Sequence, residues 1–207
     1  HTEFDELGGI FRLRSIQEEV TFMRQAQAHG LPVPKLLHDG GNWILIEFIE
    51  GQTAYAAIKE GDLSVVAKVV EALHDAHCQG VIYGDRWSDN EIINKHGQVR
   101  FIDFDVEWAL VEPQTGLLEA MEIADYLFNT LRLTSNRSGM LELVRHKLAS
   151  QLRIWGYDME RLAKFAGGIS QFYLDPNKPS NEWSLPTSLY LSLAEPAEQL
   201  VHHLRAA

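Results

Sequence analysis

The spacing of apolar residues changes along the chain and predicts where helices and strands lie. Several stretches carry apolar side chains every three or four positions, which is typical of amphipathic helices. These helices are expected at 16–26, 62–79, 117–133, 140–155 and 158–166. The helix at 158–166 is expected to end at Gly167 and Gly168, and a final helix or helix pair to be interrupted near Pro196. Short apolar or alternating runs favour strands, expected at 10–13, 35–38, 43–48, 92–93 and 99–104.

Turn and capping residues set the boundaries of the first elements. Ser15 and Glu18 have the spacing of a capping box, in which each side chain satisfies a free backbone donor at a helix start. Gly30 and Pro32 end that helix. The Asp-Gly-Gly sequence at 39–41 predicts a turn between two strands, and the second strand is apolar enough to predict a central rather than an edge position.

Strand-like patterns dominate before residue 51, and helical patterns dominate after residue 107. We therefore predict an α+β, two-lobed arrangement. Residues 1–50 would form a small, partial, strand-containing N-lobe, and residues 51–207 a mainly helical C-lobe with a hairpin at 80–107. A connector is expected near 50–61, and the stretch at 174–186, rich in Pro, Asn and Ser, is expected to be a loop.

Composition narrows the class of protein. The chain has 207 residues, of which 45% are hydrophobic, enough for a substantial core in one domain or in one divided into two lobes. No apolar run approaches the roughly 18 residues of a membrane span, so a soluble, cytoplasmic protein is expected. The net charge of -11 argues against a large nucleic-acid footprint.

One short stretch holds side chains that could be drawn as a metal site. Cys78 is the single cysteine, and its place in a helical pattern predicts a small buried residue rather than a reactive thiol. His74 and His77 stand close to it in the chain. Because no fourth ligand stands at a matching spacing, these side chains are expected to pack rather than to bind a metal.

The segment at 80–107, GVIYGDRWSDNEIINKHGQVRFIDFDVE, carries the candidate chemistry. Asp85 follows a short apolar pair and a glycine, and Asn90 comes five residues later. Two short strands and a turn follow, and the second strand carries Asp103. Because all three side chains occupy loop or strand-end positions of one hairpin, we expect them to meet at one point.

These three side chains suit phosphoryl transfer. The amide oxygen of Asn90 and the carboxylate of Asp103 are the hard oxygen ligands that Mg²⁺ prefers, and the ion completes its shell with water and phosphate oxygens. Asp85 lies on a loop, where it could accept a proton from an attacking hydroxyl or orient that hydroxyl. A metal, a positioned nucleophile and charge neutralisation are the parts that phosphoryl transfer needs.

The order of segments resembles the protein-kinase-like fold, in particular its small atypical members: the RIO-type kinases, the kinase subunit of the KEOPS complex and the lipopolysaccharide core kinases. Residues 19–34, EVTFMRQAQAHGLPVP, are similar to the helix and Pro-containing turn of that group. Residues 46–51, IEFIEG, look like its hinge, and residues 80–85, GVIYGD, like the approach to its catalytic loop. The resemblance covers roughly residues 10–131.

The resemblance implies a two-lobed protein-kinase-like fold that uses ATP and Mg²⁺. By the same resemblance, Asp85 is the catalytic aspartate, while Asn90 and Asp103 hold Mg²⁺. The acceptor would be a hydroxyl of a protein or a small molecule.

The resemblance also implies contacts to the nucleotide. Glu19 would be the helix glutamate that pairs with a phosphate-binding lysine. The hinge residues Glu47, Phe48 and Ile49 would bind the cofactor, with backbone groups of Glu47 and Ile49 meeting the adenine.

The sequence departs from the family's pattern in the half of the site that would hold the phosphates. No glycine-rich loop and no Val-Ala-Ile-Lys strand precedes Glu19 in this sequence, which is why the N-lobe is expected to be partial. Arg12 and Arg14 are the basic residues near the place of the lysine, and arginine is a poor substitute for lysine as a compact phosphate clamp.

Three hypotheses follow. The first is an ATP- and Mg²⁺-dependent phosphotransferase of the atypical serine/threonine-kinase type. The second is a small-molecule kinase resembling aminoglycoside or choline phosphotransferases, in which Asp105 and Glu107 help to hold metal or a cationic substrate. The third is a pseudokinase that acts as an interaction module with a protein partner.

Overall fold

The computed structural model describes residues 9–110, 116–174 and 187–206, and shows an α+β protein that is mostly helical with small antiparallel sheets. The strands are β1 (Gly9–Leu13), β2 (Leu36–Asp39), β3 (Ile44–Ile46), β4 (Gly51–Thr53), β5 (Glu91–Asn94), β6 (Val99–Phe101) and β7 (Val106–Leu110). The helices are α1 (Ile16–Ala28), α2 (Ala54–Glu60), α3 (Ser64–His77), α4 (Leu117–Leu133), α5 (Arg137–Leu143), α6 (Ala149–Ile154), α7 (Met159–Leu174) and α8 (Thr187–Ala206). A π-helical turn, Val144–Leu148, joins α5 to α6.

Helix α1 begins as predicted. The Ser15 side chain accepts from the backbone N–H of Glu18, and the Glu18 carboxylate accepts from the backbone N–H of Ser15 at 2.7 Å, which completes the capping box. The helix buries Val20, Met23 and Ala26. This placement turns the same helix's Glu19 towards the segment that follows β6.

Strands β2 and β3 pair antiparallel, as predicted, across the turn at 39–41. The prediction of a central position for β3 is wrong for the described residues, in which β3 pairs with β2 alone. Leu45 keeps 52% of its surface exposed and Phe48 keeps 89%. A central strand needs a hydrogen-bonded partner at each edge, and among the described residues only one edge of β3 has one.

The connector predicted near 50–61 is instead regular structure. Strand β4 pairs antiparallel with β5, which pairs antiparallel with β6 to form a three-stranded sheet. Helix α2 follows directly, with the Thr53 hydroxyl accepting from the N–H of Ala56 at 3.2 Å. Gly61 ends α2 in the left-handed conformation, with φ of 95°.

The last two helices are longer than their sequences predict. Helix α7 continues through Gly167 and Gly168, and a Cβ added at Gly167 would make an ordinary van der Waals contact with Val201 of α8, at 3.8 Å. Helix α8 continues through Pro196. Proline lacks the N–H that would bond the carbonyl of Ser192. Arg137 Nη1 donates to that carbonyl at 3.1 Å and replaces the missing bond.

The end of α3 also differs from the prediction. Cys78 is exposed rather than buried, because it lies beyond the last buried turn of α3, and its Sγ is 3.5 Å from Nε2 of His74. His77 packs inward and contacts α4. The predicted loop at 174–186 lies outside the described residues, apart from Leu174, which ends α7.

Within the described ranges, none of the helices combines the length and the hydropathy that a membrane-spanning segment requires.

Candidate active site

The loop between α3 and β5 carries Asp85 and is anchored through Gly84. The backbone N–H of Gly84 donates to Oε1 of the buried Glu122 at 2.6 Å, and its carbonyl accepts from Trp108 Nε1 at 3.3 Å. Gly84 has φ of 110°, and a Cβ there would lie 2.0 Å from the carbonyl oxygen of Val106. Only glycine fits this position, so the residue before Asp85 is held by contacts that a side chain would destroy.

Asp85 is half-buried, and its carboxyl group hydrogen-bonds to the carboxyl group of Asp125 on α4. Asp125 is itself held by the N–H of Arg86 at 3.3 Å and by Asn129 Nδ2 at 2.9 Å. Burial raises the pKa of Asp85 and raises the pKa of Asp125 further, with the Asp85 charge adding to the effect on Asp125. Burial and the neighbouring carboxyl group of Asp85 therefore disfavour the ionised form of Asp125.

Asn90 and Asp103 lie at the same end of the β5–β6 hairpin. Glu91 pairs with Phe101 across the hairpin, so Asn90 stands opposite Ile102. The N–H of Ile102 donates to the Asn90 carbonyl at 2.9 Å, and Asn90 Nδ2 donates to the Asp85 carbonyl at 3.4 Å. The structure therefore joins the loop of Asp85 to the loop of Asp103 through Asn90.

Asp103 lies two residues beyond β6 rather than within the predicted strand. Its φ of 59° places it in the left-handed region, and its carboxyl group hydrogen-bonds to that of Asp105. Burial and the hydrogen bond to Asp105 raise the pKa of Asp103. The carboxylates of Asp103 and Asp105 and the amide oxygen of Asn90 are hard oxygen donors, and this donor set fits Mg²⁺.

No cluster of three His, Cys, Asp or Glu side chains arranged to bind a metal ion occurs in the described ranges. Mg²⁺ commonly takes one or two carboxylates from a protein and the remaining oxygens from water and phosphate.

Glu19 lies against the same segment. Its carboxylate accepts from the backbone N–H of Phe104, and burial together with the charges of Asp103 and Asp105 raises its pKa. The structure thus brings Glu19 to the candidate metal loop. Its pairing with a phosphate-binding lysine stays a prediction.

The predicted hinge at 47–49 contacts Lys35, which precedes β2, and Arg100 of the β5–β6 hairpin. The N–H of Glu47 donates to the carbonyl of Lys35 at 2.8 Å, and the Glu47 carboxylate accepts from the N–H of Lys35 at 3.1 Å. Arg100 on β6 donates to the same carboxylate at 3.3 Å. Ile49 is half-buried, Phe48 is exposed, and the backbone hydrogen bonds among the described residues do not use the N–H of Ile49. Adenine contacts of Glu47, Phe48 and Ile49 stay a prediction.

The two arginines near the position expected for a phosphate-binding lysine, Arg12 and Arg14, bind carboxylates and backbone carbonyls of the protein. Strand β1 pairs antiparallel with β7, and Arg14 donates to the carbonyl of Phe104 at 2.7 Å and to the Glu107 carboxylate at 2.8 Å. Arg12 pairs with Glu107 and with Glu18. These contacts bind β1 to the segment after Asp103, and they also occupy Glu107, which the sequence had suggested for metal or substrate.

The sequence profile of the RIO domain matches residues 12–117, just over half of the chain. The chain belongs to the RIO family. This family is an atypical branch of the protein-kinase-like proteins, and the matched residues contain every element that carries Glu19, Asp85, Asn90 and Asp103.

Relatives of this RIO-family chain are named as serine/threonine kinases. A putative serine/threonine-protein kinase of Bacillus subtilis, YrzF, is 36% identical over 73 residues, which cover 34% of this chain and 34% of the relative. A probable serine/threonine-protein kinase of Clostridium perfringens is 33% identical over 75 residues, covering 33% of this chain and 11% of the relative. A serine/threonine-protein kinase of Mycosarcoma maydis is 27% identical over 97 residues, covering 43% of this chain and 13% of the relative. The chain aligns with about a third or less of the length of these relatives.

Sequence reasoning missed the polar face of α4 that supports the RIO-domain loop. Glu122, Asp125 and Asn129 are buried at spacings of three and four residues, which place them on one face of the helix. Glu122 also binds Nε2 of His77 at 2.7 Å, and Nδ1 of His77 lies 2.6 Å from the Tyr157 hydroxyl. The sequence did carry a signal for this face, because α4 has a stripe of polar residues beside its apolar stripe. Acidic residues are rarely buried without partners, so such a stripe indicates buried partners on neighbouring segments.

Proposed function

We propose that this RIO-family chain is an ATP- and Mg²⁺-dependent phosphotransferase that transfers the γ-phosphoryl group of ATP to a hydroxyl, in the manner of an atypical serine/threonine kinase. The observation that carries this proposal is the joining of Asp85, Asn90 and the Asp103 loop by direct hydrogen bonds at one end of the hairpin. Family membership and the kinase names of the relatives support it.

Each residue has a defined part in the proposal. Asn90 and Asp103, with Asp105 beside Asp103, would hold Mg²⁺, which neutralises charge on the phosphate oxygens when it is bound. Asp85 orients the acceptor hydroxyl and takes its proton. As the acceptor oxygen bonds to the γ-phosphorus, the bond from that phosphorus to the oxygen of the departing ADP breaks.

The nucleotide would lie between two lobes. We propose that residues 1–50 contribute a partial N-lobe, with Glu19 facing the phosphates and the hinge of Glu47, Phe48 and Ile49 meeting the adenine. The exposed Phe48 ring and the half-buried Ile49 leave apolar surface for a planar base. A hydroxyl of a protein or of a small molecule would be the acceptor.

Two substitutions test the proposal with Mg-ATP. Asp103→Ala should abolish binding of Mg-ATP, measured by calorimetry, because it removes a metal ligand. Asp85→Ala should retain binding and lower transfer from labelled ATP by about 10²–10⁴-fold, the range of general acid and base catalysis. Asp75→Ala, at an exposed carboxylate of α3, is the control that should change neither. Wild-type protein that neither binds Mg-ATP nor transfers phosphate would overturn the proposal.

A second candidate is an interaction module that retains the fold without transfer. The contacts of Arg14 favour this candidate. Because Arg14 donates to a backbone carbonyl and to the Glu107 carboxylate, it is not available to bind a phosphate. Thermal denaturation separates the two candidates, since Mg-ATP at 100 times its dissociation constant stabilises a folded protein by about 2.7 kcal/mol. Unchanged denaturation at millimolar Mg-ATP favours the interaction module.

A further inference from the structure

Arg86, the residue directly after Asp85, is buried to an unusual degree for an arginine. Its exposed surface is 1%, and nothing in the pattern of the sequence predicts that it points inward. A guanidinium cannot lose its charge at any ordinary pH, so burial is costly unless hydrogen bonds and an opposite charge compensate it. The compensating groups show what Arg86 holds in place.

The guanidinium of Arg86 binds the loop of Asp103. Nη2 donates to the backbone carbonyl of Asp103 at 2.6 Å, and Nη1 donates to the carbonyl of Ile102 at 3.2 Å. The N–H of Ile102 donates to Asn90 on the other side. The two peptide groups that flank the α-carbon of Asp103 are thus held by the loop that carries Asp85.

These contacts act where the backbone is strained. Among described residues other than glycine, Ser88 and Asp103 have positive φ values, 71° and 59°. Such a conformation costs free energy in an L-residue and persists only when surrounding contacts impose it. Arg86 holds the carbonyl of Asp103 and so helps to impose the conformation that sets the direction of the Asp103 carboxylate.

An anchor fixes the guanidinium itself. Nη1 of Arg86 is 3.6 Å from Oε1 of Glu91, which has 0% exposure and begins β5 directly after Asn90. Burial raises the pKa of Glu91 to about 7, and the charge of Arg86 opposes this effect. The rings of Tyr83 and Phe104 lie 5.9 Å and 5.8 Å from the guanidinium carbon, within the range of cation–π attraction. Glu91, Tyr83 and Phe104 therefore surround the guanidinium of Arg86 and limit it to one position.

We propose that Arg86 is a positioning residue that couples the loop of Asp85 and Asn90 to the loop of Asp103, with Glu91 as its buried anchor. The role rests on the proposed function, because the geometry that Arg86 maintains is that of the Mg²⁺ and phosphate ligands. Arg86 acts through the Asp103 backbone and makes no contact with the substrate in this role.

The first arm of the test does not require nucleotide. Hydrogen exchange followed by mass spectrometry should show faster exchange in peptides covering residues 101–105 and 88–91 of Arg86→Lys than in the wild type. A single ammonium group cannot donate to both carbonyls with the fork of a guanidinium. The control is Arg137→Met, which removes a different arginine-to-carbonyl bond, to Ser192 on α8, and should leave both peptides unchanged. Unchanged exchange in Arg86→Lys would overturn the coupling.

The second arm measures Mg-ATP binding and transfer. Arg86→Met should weaken Mg-ATP binding by at least tenfold, Arg86→Lys should recover part of it, and Glu91→Gln should fall between Arg86→Lys and the wild type. Should Arg86→Met fail to fold, Arg86→Lys and Glu91→Gln still decide the result. Folded variants that bind Mg-ATP as the wild type does would overturn the positioning role and leave the proposed function intact. A wild type that binds no Mg-ATP would instead overturn the proposed function, and with it the role of Arg86 in transfer.

Discussion

The loop of Asp85 and the predicted hinge at 47–49 are built in opposite ways. The loop has little regular structure, yet buried charged side chains hold it, including Glu122 beneath Gly84. The hinge follows a regular strand pair but exposes apolar side chains, with Leu45 and Phe48 facing solvent.

The difference reflects what each segment is proposed to hold. Metal ligands and a general base act only within narrow distances, so the backbone that carries them has to be held in place by surrounding contacts. A planar base needs apolar surface and a few backbone groups, which a short strand and its exit provide. Four predictions test this contrast, from the largest expected effect to the smallest.

Removal of the Glu122 carboxylate should cause the largest loss of stability. Glu122→Leu leaves the N–H of Gly84 and the ring of His77 without their buried partner, and breaking a buried pair in this way costs about 3–5 kcal/mol. Urea unfolding measures the free energy. Glu122→Gln keeps an oxygen for the Gly84 N–H and should lose less. A Glu122→Leu variant within about 0.5 kcal/mol of the wild type would contradict the contrast.

The second prediction compares two arginines of one strand. The Arg14 side chain has 7% exposure and binds backbone carbonyls, whereas the Arg12 side chain has 46% exposure and forms surface ion pairs. Arg14→Met should lower the free energy of unfolding by about 1.5–3 kcal/mol, the value of hydrogen bonds from a charged group. Arg12→Met should lower it by less, because solvent screens exposed ion pairs. Urea unfolding measures both losses. Equal losses would show that burial does not determine how much each arginine contributes to stability.

The third prediction concerns pH. Burial and the neighbouring Asp85 raise the pKa of Asp125, so the folded state favours its neutral form. This contribution is fully present below the unfolded pKa of about 3.9 and is lost as pH rises through the folded pKa. Asp125→Asn removes the titration, so its stability relative to the wild type should increase between pH 5 and pH 8. Thermal melts across this range measure the difference, and a constant difference would contradict the assignment.

The smallest effect on stability is expected at the hinge. Phe48→Ala should change the free energy of unfolding by less than about 0.5 kcal/mol, because the ring packs against little. The same change should weaken Mg-ATP binding if the ring covers the adenine. Leu37→Ala, at another exposed apolar residue of the same strand pair, is the matched control for nucleotide binding. Equal binding by both variants would remove Phe48 from the proposed site.

Local patterns were sufficient for most elements of the fold. The capping box of α1, the bounds of α4 and the β5–β6 hairpin agree with predictions made from near neighbours in the chain. The predictions that failed depend on distant residues. Helix α8 continues through Pro196, and Arg137 of another helix bonds the carbonyl that proline leaves free. Strand β3 is not central because, among the described residues, only β2 pairs with it.

The same division applies to the candidate site. The identities and order of Asp85, Asn90 and Asp103 are visible in the sequence, because turn residues and short strands place oxygen-bearing side chains at the ends of one hairpin. The sequence placed Arg14 near the position expected for a phosphate-binding lysine, and the structure directs this arginine to backbone carbonyls.

The sequence by itself determined most of the elements and the family, since both depend on residue types at short, fixed spacings. The tertiary structure alone decided which charges are buried and what they hold. Arg14 meets Glu107 across 93 positions of the chain, and Gly84 meets Glu122 across 38. The burial of Arg86 likewise follows from the packing of Tyr83 and Phe104 around it. Burial is a property of the assembled core, so no local pattern distinguishes an exposed arginine from one that fixes the metal loop.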